Sequence, residues 1–564
     1  MRGSYSFHSH KDIDPDEIFL DDKNIPDFDV HQFEGRIERP IRERTIIFLA
    51  AFFMLIGLLL ALRAGLLEVR DGSIYAQKSE RNRLEHQLLF PERGVISDRN
   101  GEPLAWNVPN TEELGFSLRR YTEDPGFGSI LGFLHYPARD KFGVYYRNDY
   151  EADSGIESYY NDALKGNSGL RIIETDALGN VVSSNVIDPP MTGENLKLSV
   201  DARVQSAFYK TIGKIAEAED YLGGAGAIMD ITNGELLALV SYPTYDPNIM
   251  TEAEDREKIA EYNKDKGSPF LNRTIGGLFT PGSIVKPMFA IGALSEGNIT
   301  PEKQILSIGY ITVPNPFFPD KESRFNDWKN HGWLDMRSAI AWSSDVYFYE
   351  ITGGFEGQKG LGIKNVEKYA RLFGYGSTTG IDLYGELSGT IPNPDWKAQN
   401  FPDDPTWRIG DTYFTGIGQY GMQATVLQAV KEASIIASKG TVVRPHLSLD
   451  IATSTSQLPL AKSYFDVIQE GMRKGVVDGT ASTLNIPEVK IAAKTGTAEL
   501  GVTKARVNSW VIGFFPYDKP RYAFAVVMDK GVKGNTTNAS YTARELFRVL
   551  ASTTPEYLRS NDAQ

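Results

Sequence analysis

The sequence predicts an α+β protein: a single transmembrane helix, a β-rich pedestal, and a larger domain in which helices flank an antiparallel sheet. Three observations carry this. TIIFLAAFFMLIGLLLAL, residues 45–62, runs 18 residues without a charge. Short β-type stretches and turn signals occupy the chain from there to about residue 200. Beyond that, GAGAIMDITNGELLALVSY reads as a hairpin turning at Asn233-Gly234, and helical stretches, three strand-like runs and a last helix follow it. That order fits a sheet with helices packed on its faces.

As a helix the uncharged run spans about 27 Å, close to the hydrocarbon thickness of a bilayer. A core helix of this length would show a polar face, and a 44-residue leader is too long for a signal peptide. Arg36, Arg39, Arg42 and Arg44 crowd its N-terminal flank, against Arg63 and Arg70 beyond it. The excess predicts that residues 1–44 are cytoplasmic and everything after the helix is outside. The tail, with KDIDPDEIFLDDKNIPDFDV, is acidic, proline-interrupted and aperiodic, so disorder is expected there. Outside the membrane there is no ATP supply, and the chemistry there should need none.

After the helix, EVRDGSIYAQKSERNRLEHQ reads as polar amphipathic structure leaving the membrane, and FPERGVISDRNGEPLAWN sets short strands around Asn100-Gly101. DARVQSAFYKTIGKIAEA predicts a helix, with further helices across 283–295, 335–352, 362–374 and 424–438. KIAAKTGTAE, NSWVIGFFP and RYAFAVVMDKG are strand-like at hairpin spacing, and YTARELFRVLAS closes the chain as a helix. There is no internal repeat. At 564 residues the chain is too long for one ordinary core. Its 41% apolar and 23% charged residues suit a folded protein. A formal net charge of −14, with a pI near 5.2 and no long basic block, argues against a nucleic-acid partner. Cysteine is absent, which removes disulfides, thiolate nucleophiles and cysteine-based zinc sites. The seven histidines show no H-E-x-x-H or similar spacing, so neither a metal nor another cofactor is expected.

GGLFTPGSIVKPMFAIGAL, residues 276–294, holds the first chemical candidates. Pro281-Gly282 delivers Ser283 to the start of an apolar helical run, and Lys286 follows at i+3 on the same face. An S-x-x-K string arises by chance about twice in a chain of this length, so it needs partners. Two lie downstream. In AIAWSSDVYFYEI, Ser343 opens S-x-D with Asp345; starting at Ser344 would put apolar Val346 in the third place. In KIAAKTGTAE, Lys494, Thr495 and Gly496 form K-T-G, with Thr497 after them. Thr495 and Thr497, two apart on a strand, share a face.

S-x-x-K, S-x-[N/D] and K-T-G in that order are the signature of penicillin-binding proteins and class A β-lactamases. The resemblance runs from residue 45 to about 550. FPERGVISDRNGEPLAWN and GIESYYNDALKGNSG are similar to the entry segments of class B penicillin-binding proteins. TGIDLYGELSGTIPNPDWK, GDTYFTGIGQYGMQATVLQA and ASKGTVVRPHL resemble stretches between their second and third motifs. FNDWKNHGWLDMRSAIAWSSDVYFYEI resembles the elongation type, and no glycosyltransferase domain precedes the pedestal. The resemblance implies a cytoplasmic tail over 1–44, a transmembrane helix over 45–65, a pedestal or dimerisation-like domain over 66–200, a penicillin-binding transpeptidase domain over 201–553 and a C-terminal tail over 554–564.

It also implies an activity: a D,D-transpeptidase that cross-links peptidoglycan stem peptides during cell-wall elongation at the bacterial cytoplasmic membrane. Its partners would be a D-Ala-D-Ala donor, an amine acceptor, β-lactams and a membrane glycosyltransferase of the SEDS family. Ser283 would attack the penultimate D-alanine and carry the acyl group. Lys286 would take its proton, which for a lysine titrating near 10.4 requires a downward shift of about three units, roughly 4 kcal/mol. Burial, the helix start and a second cation, Lys494, push that way. Ser343 would relay a proton between the two lysines. Thr495 and Thr497 would bind the terminal carboxylate, Gly496 would permit close approach, and the N–H groups of Ser283 and Thr497 would form the oxyanion hole. Asp345 departs from the commoner Asn: an ionised carboxylate cannot donate a hydrogen bond, and it could pair with Lys286 or Lys494. Some elongation-type relatives carry a zinc site near this motif that includes a cysteine; this chain has none. The competing readings are a β-lactam hydrolase, for which the E-x-x-L-N string of class A is missing, and a scaffold activating a glycosyltransferase through a vestigial site.

Overall fold

The computed structural model describes residues 43–76, 84–111, 115–141, 145–176, 180–315, 318 and 320–559. The tail expected over 1–44 lies outside them up to residue 42, and the C-terminal tail from 560 on. Two units divide the chain, Met1–Glu85 with Glu174–Ser183, and His86–Ile173 with Ser184–Gln564. In the first, α1 (Glu43–Gly65) runs into a π-helical turn at Leu66–Arg70, and none of its residues is buried. Among the described residues this 28-residue span is the one helix long and apolar enough to cross a membrane. It fits a single-pass anchor.

The second unit opens with a small sheet of β1 (Ile96–Ser97), β2 (Pro103–Val108), β3 (Leu118–Tyr121) and β4 (Leu196–Lys197), ordered β4-β1-β2-β3. Beside it a charge cluster is sealed from water. Glu157 accepts from Arg93 Nε at 2.6 Å and from Arg119 Nε at 2.8 Å, with all three side chains at 0% exposure. Burial alone would raise the Glu157 carboxyl, but the two guanidiniums outweigh it and hold the group below its ordinary value. Asp382 ties this region to the next: its carboxylate accepts from Tyr160 Oη at 2.8 Å and from the N–H groups of Leu447 and Ser448 at 2.7 and 2.8 Å.

After α2 (Ala202–Ala218) come β5 (Gly223–Asp230) and β6 (Leu236–Tyr242), the hairpin read from the sequence. A 3₁₀ turn over Gly282–Val285 leads into α3 (Lys286–Ser295). Two small hairpin-like pairs follow from β7 (Ile305–Ser307), β8 (Tyr310–Pro314), β9 (Glu322–Asn326) and β10 (Gly332–Leu334), with β7 on β10 and β8 on β9. Then come α4 (Met336–Trp342), α5 (Asp345–Gly353), α6 (Val426–Ala437) and α7 (Lys462–Val477). β11 (Ala492–Leu500), β12 (Arg506–Phe515), β13 (Tyr522–Val532) and α8 (Ala539–Thr553) complete the domain.

The main sheet is antiparallel, ordered β6-β5-β13-β12-β11. Its inner strands are covered on both faces. Ala523, Ala525 and Val527 join the core that contains α6, while Phe524, Val526 and Met528 join the core of α2 and α8. Double-sided burial explains why AFAVVM reads as a continuous apolar run and not as an alternation. Fully burying one Val or Phe contributes about 1.5–3 kcal/mol, so the sheet is a rigid platform. β11 remains at its edge.

The helix expected over 335–352 is two helices. Ser343 sits between α4 and α5 in the left-handed region, φ 57° and ψ 38°, and Ser344 caps α5 by accepting from Tyr347 N–H. No glycine or proline marks this break. Likewise Ser283 lies in the 3₁₀ turn ahead of α3 instead of inside its first turn. Helix α7 was not among the expected elements; its buried Phe465, Ile468, Met472 and Val476 do follow helical spacing.

Candidate active site

Three segments meet at the edge of the sheet. The 3₁₀ turn carries Ser283, half-buried, and its preceding peptide is pinned by Gly282 N–H to Gly418 O at 3.0 Å and by Trp510 Nε1–H to Thr280 O at 3.1 Å. β11 runs against this turn. A Cβ built on Gly496 would come within 2.8 Å of Pro281 O and 2.9 Å of Ile284 Cγ2, so only glycine allows that approach. The left-handed break sets Ser343 at the same place. Ser283, Ser343, Asp345, Thr495, Gly496 and Thr497 line one cleft of about 380 Å³.

Lys286 and Lys494 stand behind its wall, at 0% and 1% exposure. Lys286 Nζ donates to Asp345 Oδ1 at 2.6 Å and to Ser343 O at 2.8 Å, with Ser343 Oγ at 3.4 Å. Lys494 Nζ donates to Ser343 Oγ at 2.7 Å and to Thr495 O at 2.8 Å. Ser343 Oγ therefore bridges the two amines. Of the two pairings open to Asp345, the structure has Lys286. The Ser283 hydroxyl makes no hydrogen bond among the described residues and faces the cleft.

Burial drives the Lys494 ammonium well below its ordinary value, the neighbouring Lys286 pushes it further, and Asp345 opposes. The Asp345 carboxyl moves the other way, raised by burial against the pull of Lys286. Both shifts disfavour charge.

Of the two threonines, Thr497 is exposed, whereas Thr495 Oγ1 is 2.7 Å from Thr480 Oγ1. Sequence reasoning missed Thr480, which reaches the cleft from the loop after α7, and Trp328, half-exposed at the rim. It also missed Asp327. This buried carboxylate accepts from Ser344 Oγ at 2.6 Å, Val346 N–H at 3.1 Å and Ser307 Oγ at 3.1 Å, clamping the residues next to Ser343. Burial raises Asp327, but those hydrogen bonds and the charge of Lys286 win, and it is held below its ordinary value. No sequence pattern marks a contact between residues 17 apart, with a strand and a helix between them. Among the described residues no group of three or more His, Cys, Asp or Glu side chains is placed to hold a metal ion.

The chain matches two family models: penicillin-binding protein transpeptidase domain over residues 224–550, and penicillin-binding protein dimerisation domain over 116–198. It is 29% identical over 520 residues to the peptidoglycan D,D-transpeptidase MrdA of Escherichia coli K12, covering 84% of this chain and 78% of that protein. The penicillin-binding protein PBP2 of Helicobacter pylori, solved in complex with MreC, is 26% identical with a TM-score of 0.68, covering 84% of this chain and 99% of that one. A chain from a peptidoglycan synthase complex that coordinates polymerization and crosslinking is 26% identical with a TM-score of 0.70, covering 92% and 99%. With the three motifs in one cleft on a β-lined platform, the chain belongs to the penicillin-binding protein transpeptidase family, as a class B member of the elongation type.

Proposed function

We propose that this D,D-transpeptidase works through an acyl-enzyme on Ser283, with Lys286, Ser343 and Lys494 moving the protons. The observation that carries this reading is the position of Ser343 Oγ, shared between two buried amines beside the serine's cleft. Ser283 Oγ attacks the carbonyl carbon of the penultimate D-alanine, and its proton passes to the neutral form of Lys286. Burial raises Asp345, which narrows the gap between ammonium with carboxylate and amine with carboxylic acid. The oxyanion is met by the N–H groups of Ser283 and Thr497, donors worth about 2.7–4 kcal/mol each in comparable sites.

The C–N bond then breaks. The departing D-alanine nitrogen takes a proton from the Ser343 hydroxyl, which Lys494 restores. A lysine already disposed to lose its proton suits that task. The acceptor amine attacks the ester, its surplus proton returns by the same route, and Ser283 leaves as the hydroxyl. One amide replaces another, with no net proton and no ATP. Thr497, with Thr495 held by Thr480, and the charge of Lys494 grip the donor's terminal carboxylate. The open edge of β11 lets the extended stem peptide, or a β-lactam, lie alongside it.

The same reading keeps the pedestal over 66–200 and the transpeptidase domain over 201–553, which the two family matches support. It keeps the N-terminus cytoplasmic, on the arginine excess ahead of α1. It takes a SEDS-type glycosyltransferase as the partner, supported by the relative seen in a synthase complex. Reconstitution with such a polymerase and lipid-linked precursor tests it. Ser283→Ala is expected to reduce cross-links at least about 10³-fold while glycan strands still form; cross-links that persist in this variant contradict the proposal.

A further inference from the structure

Strands β7 and β8 and the turn over 355–358 wall a second groove of about 680 Å³. Part of its wall is exposed apolar surface: Leu306, Ile308 and Trp333 are 42%, 49% and 63% exposed. Glu350, from the second turn of α5, lines it and is only 9% exposed. Its carboxylate nevertheless has no hydrogen bond or ion pair among the described residues. Its oxygens are not sealed from water, so a cation entering the groove can meet them directly. The cation beside it, Lys303, instead donates to Gln358 Oε1 at 2.7 Å. Glu356 adds a second acid at the rim. Burial and Glu356 push Glu350 up to about 7, against Lys303, so an incoming cation would readily draw it into the ionised form.

We propose that this groove binds a lysine side chain carried on an extended segment of a partner protein, the ammonium on Glu350 and Glu356 and the aliphatic stem on Trp333 and Ile308. Three N–H donors match two acids, and a four-carbon stem matches the exposed apolar wall. An extended segment fits because β10 is the one strand paired with β7 among the described strands, so no strand occupies its other side.

The test is calorimetric titration of the full-length protein in detergent with Ac-Val-Lys-Val-NH2, its norleucine analogue and 1,5-diaminopentane. Saturable binding of the lysine peptide is expected, with the norleucine peptide and the Glu350→Gln protein each at least about tenfold weaker. Trp333→Ala, an exposed position that should leave folding intact, is expected to weaken it several-fold. Both variants should still acylate with penicillin, which separates a lost site from a lost fold. No saturation by about 10 mM peptide, or equal affinity in Glu350→Gln, overturns the proposal. Diaminopentane binding as tightly as the peptide overturns the peptide as occupant.

Discussion

Five side chains decide the chemistry, Ser283, Lys286, Ser343, Lys494 and Asp345, and the least expected among them is Asp345. Where the commoner family pattern has an amide, this chain puts a carboxylate 2.6 Å from Lys286. A negative charge there holds protons on the amine cluster, while burial of the same carboxylate limits how firmly it does so. Asp345→Asn removes the charge and keeps the shape. The coupled amines should then lose their protons more easily, so the acidic limb of the acylation rate against pH is expected to move down by about one unit. Stopped-flow acylation by a chromogenic β-lactam across pH measures it; an unmoved or raised limb contradicts the assignment. The residue identities of the cleft were legible because spacing and order carry them. Their hydrogen bonds were not: nothing in S-x-D says which lysine the acid will choose, and the Asp327 clamp depends on a loop returning to α5.

At the scale of elements, the site is built by one close approach, β11 against the 3₁₀ turn. Gly496→Ala places a methyl against Pro281 O and Ile284, backbone and core atoms that cannot rotate away. The strand must shift, and a misplacement of under 1 Å at a reacting centre is enough to cost about 10²-fold. Acylation by penicillin is therefore expected to fall about 10²-fold with little change in melting temperature, since the edge strand has room to move toward the cleft. Unchanged acylation would show that the approach is incidental. The five strands of the main sheet and α2, α3 and α8 were readable from apolar runs and turn residues, whereas the short strands β7 to β10 were not. The α4–α5 break was not, because a serine in the left-handed region has no compositional flag and is imposed by the packing around it. Helix α7 had readable periodicity in Phe465, Ile468, Met472 and Val476, hidden by the glycines between them.

For the molecule as a whole, the pedestal region and the catalytic domain are held in part by the same packing. One apolar core runs through both, taking in Ile96, Leu104, Ile130 and Leu164 beside the helices of the sheet domain, and the pedestal region adds the sealed Arg93–Glu157–Arg119 cluster. Glu157→Gln leaves two buried guanidiniums with one acceptor fewer and is expected to cost about 3–5 kcal/mol. The pH dependence has a definite sign. Glu157 is depressed in the folded state, so its contribution is complete above the unfolded value of about 4.5 and is lost as pH falls through the folded value. Urea unfolding at pH 7 and pH 4 reads both effects, and Glu157→Gln should flatten the acid loss. All of this supports one nucleophile. The most direct measurement is intact mass of the full-length protein after incubation with benzylpenicillin, followed by peptide mapping. One stable adduct on Ser283, absent from Ser283→Ala, is the expected result; an adduct elsewhere, or one hydrolysed as fast as it forms, would contradict the account.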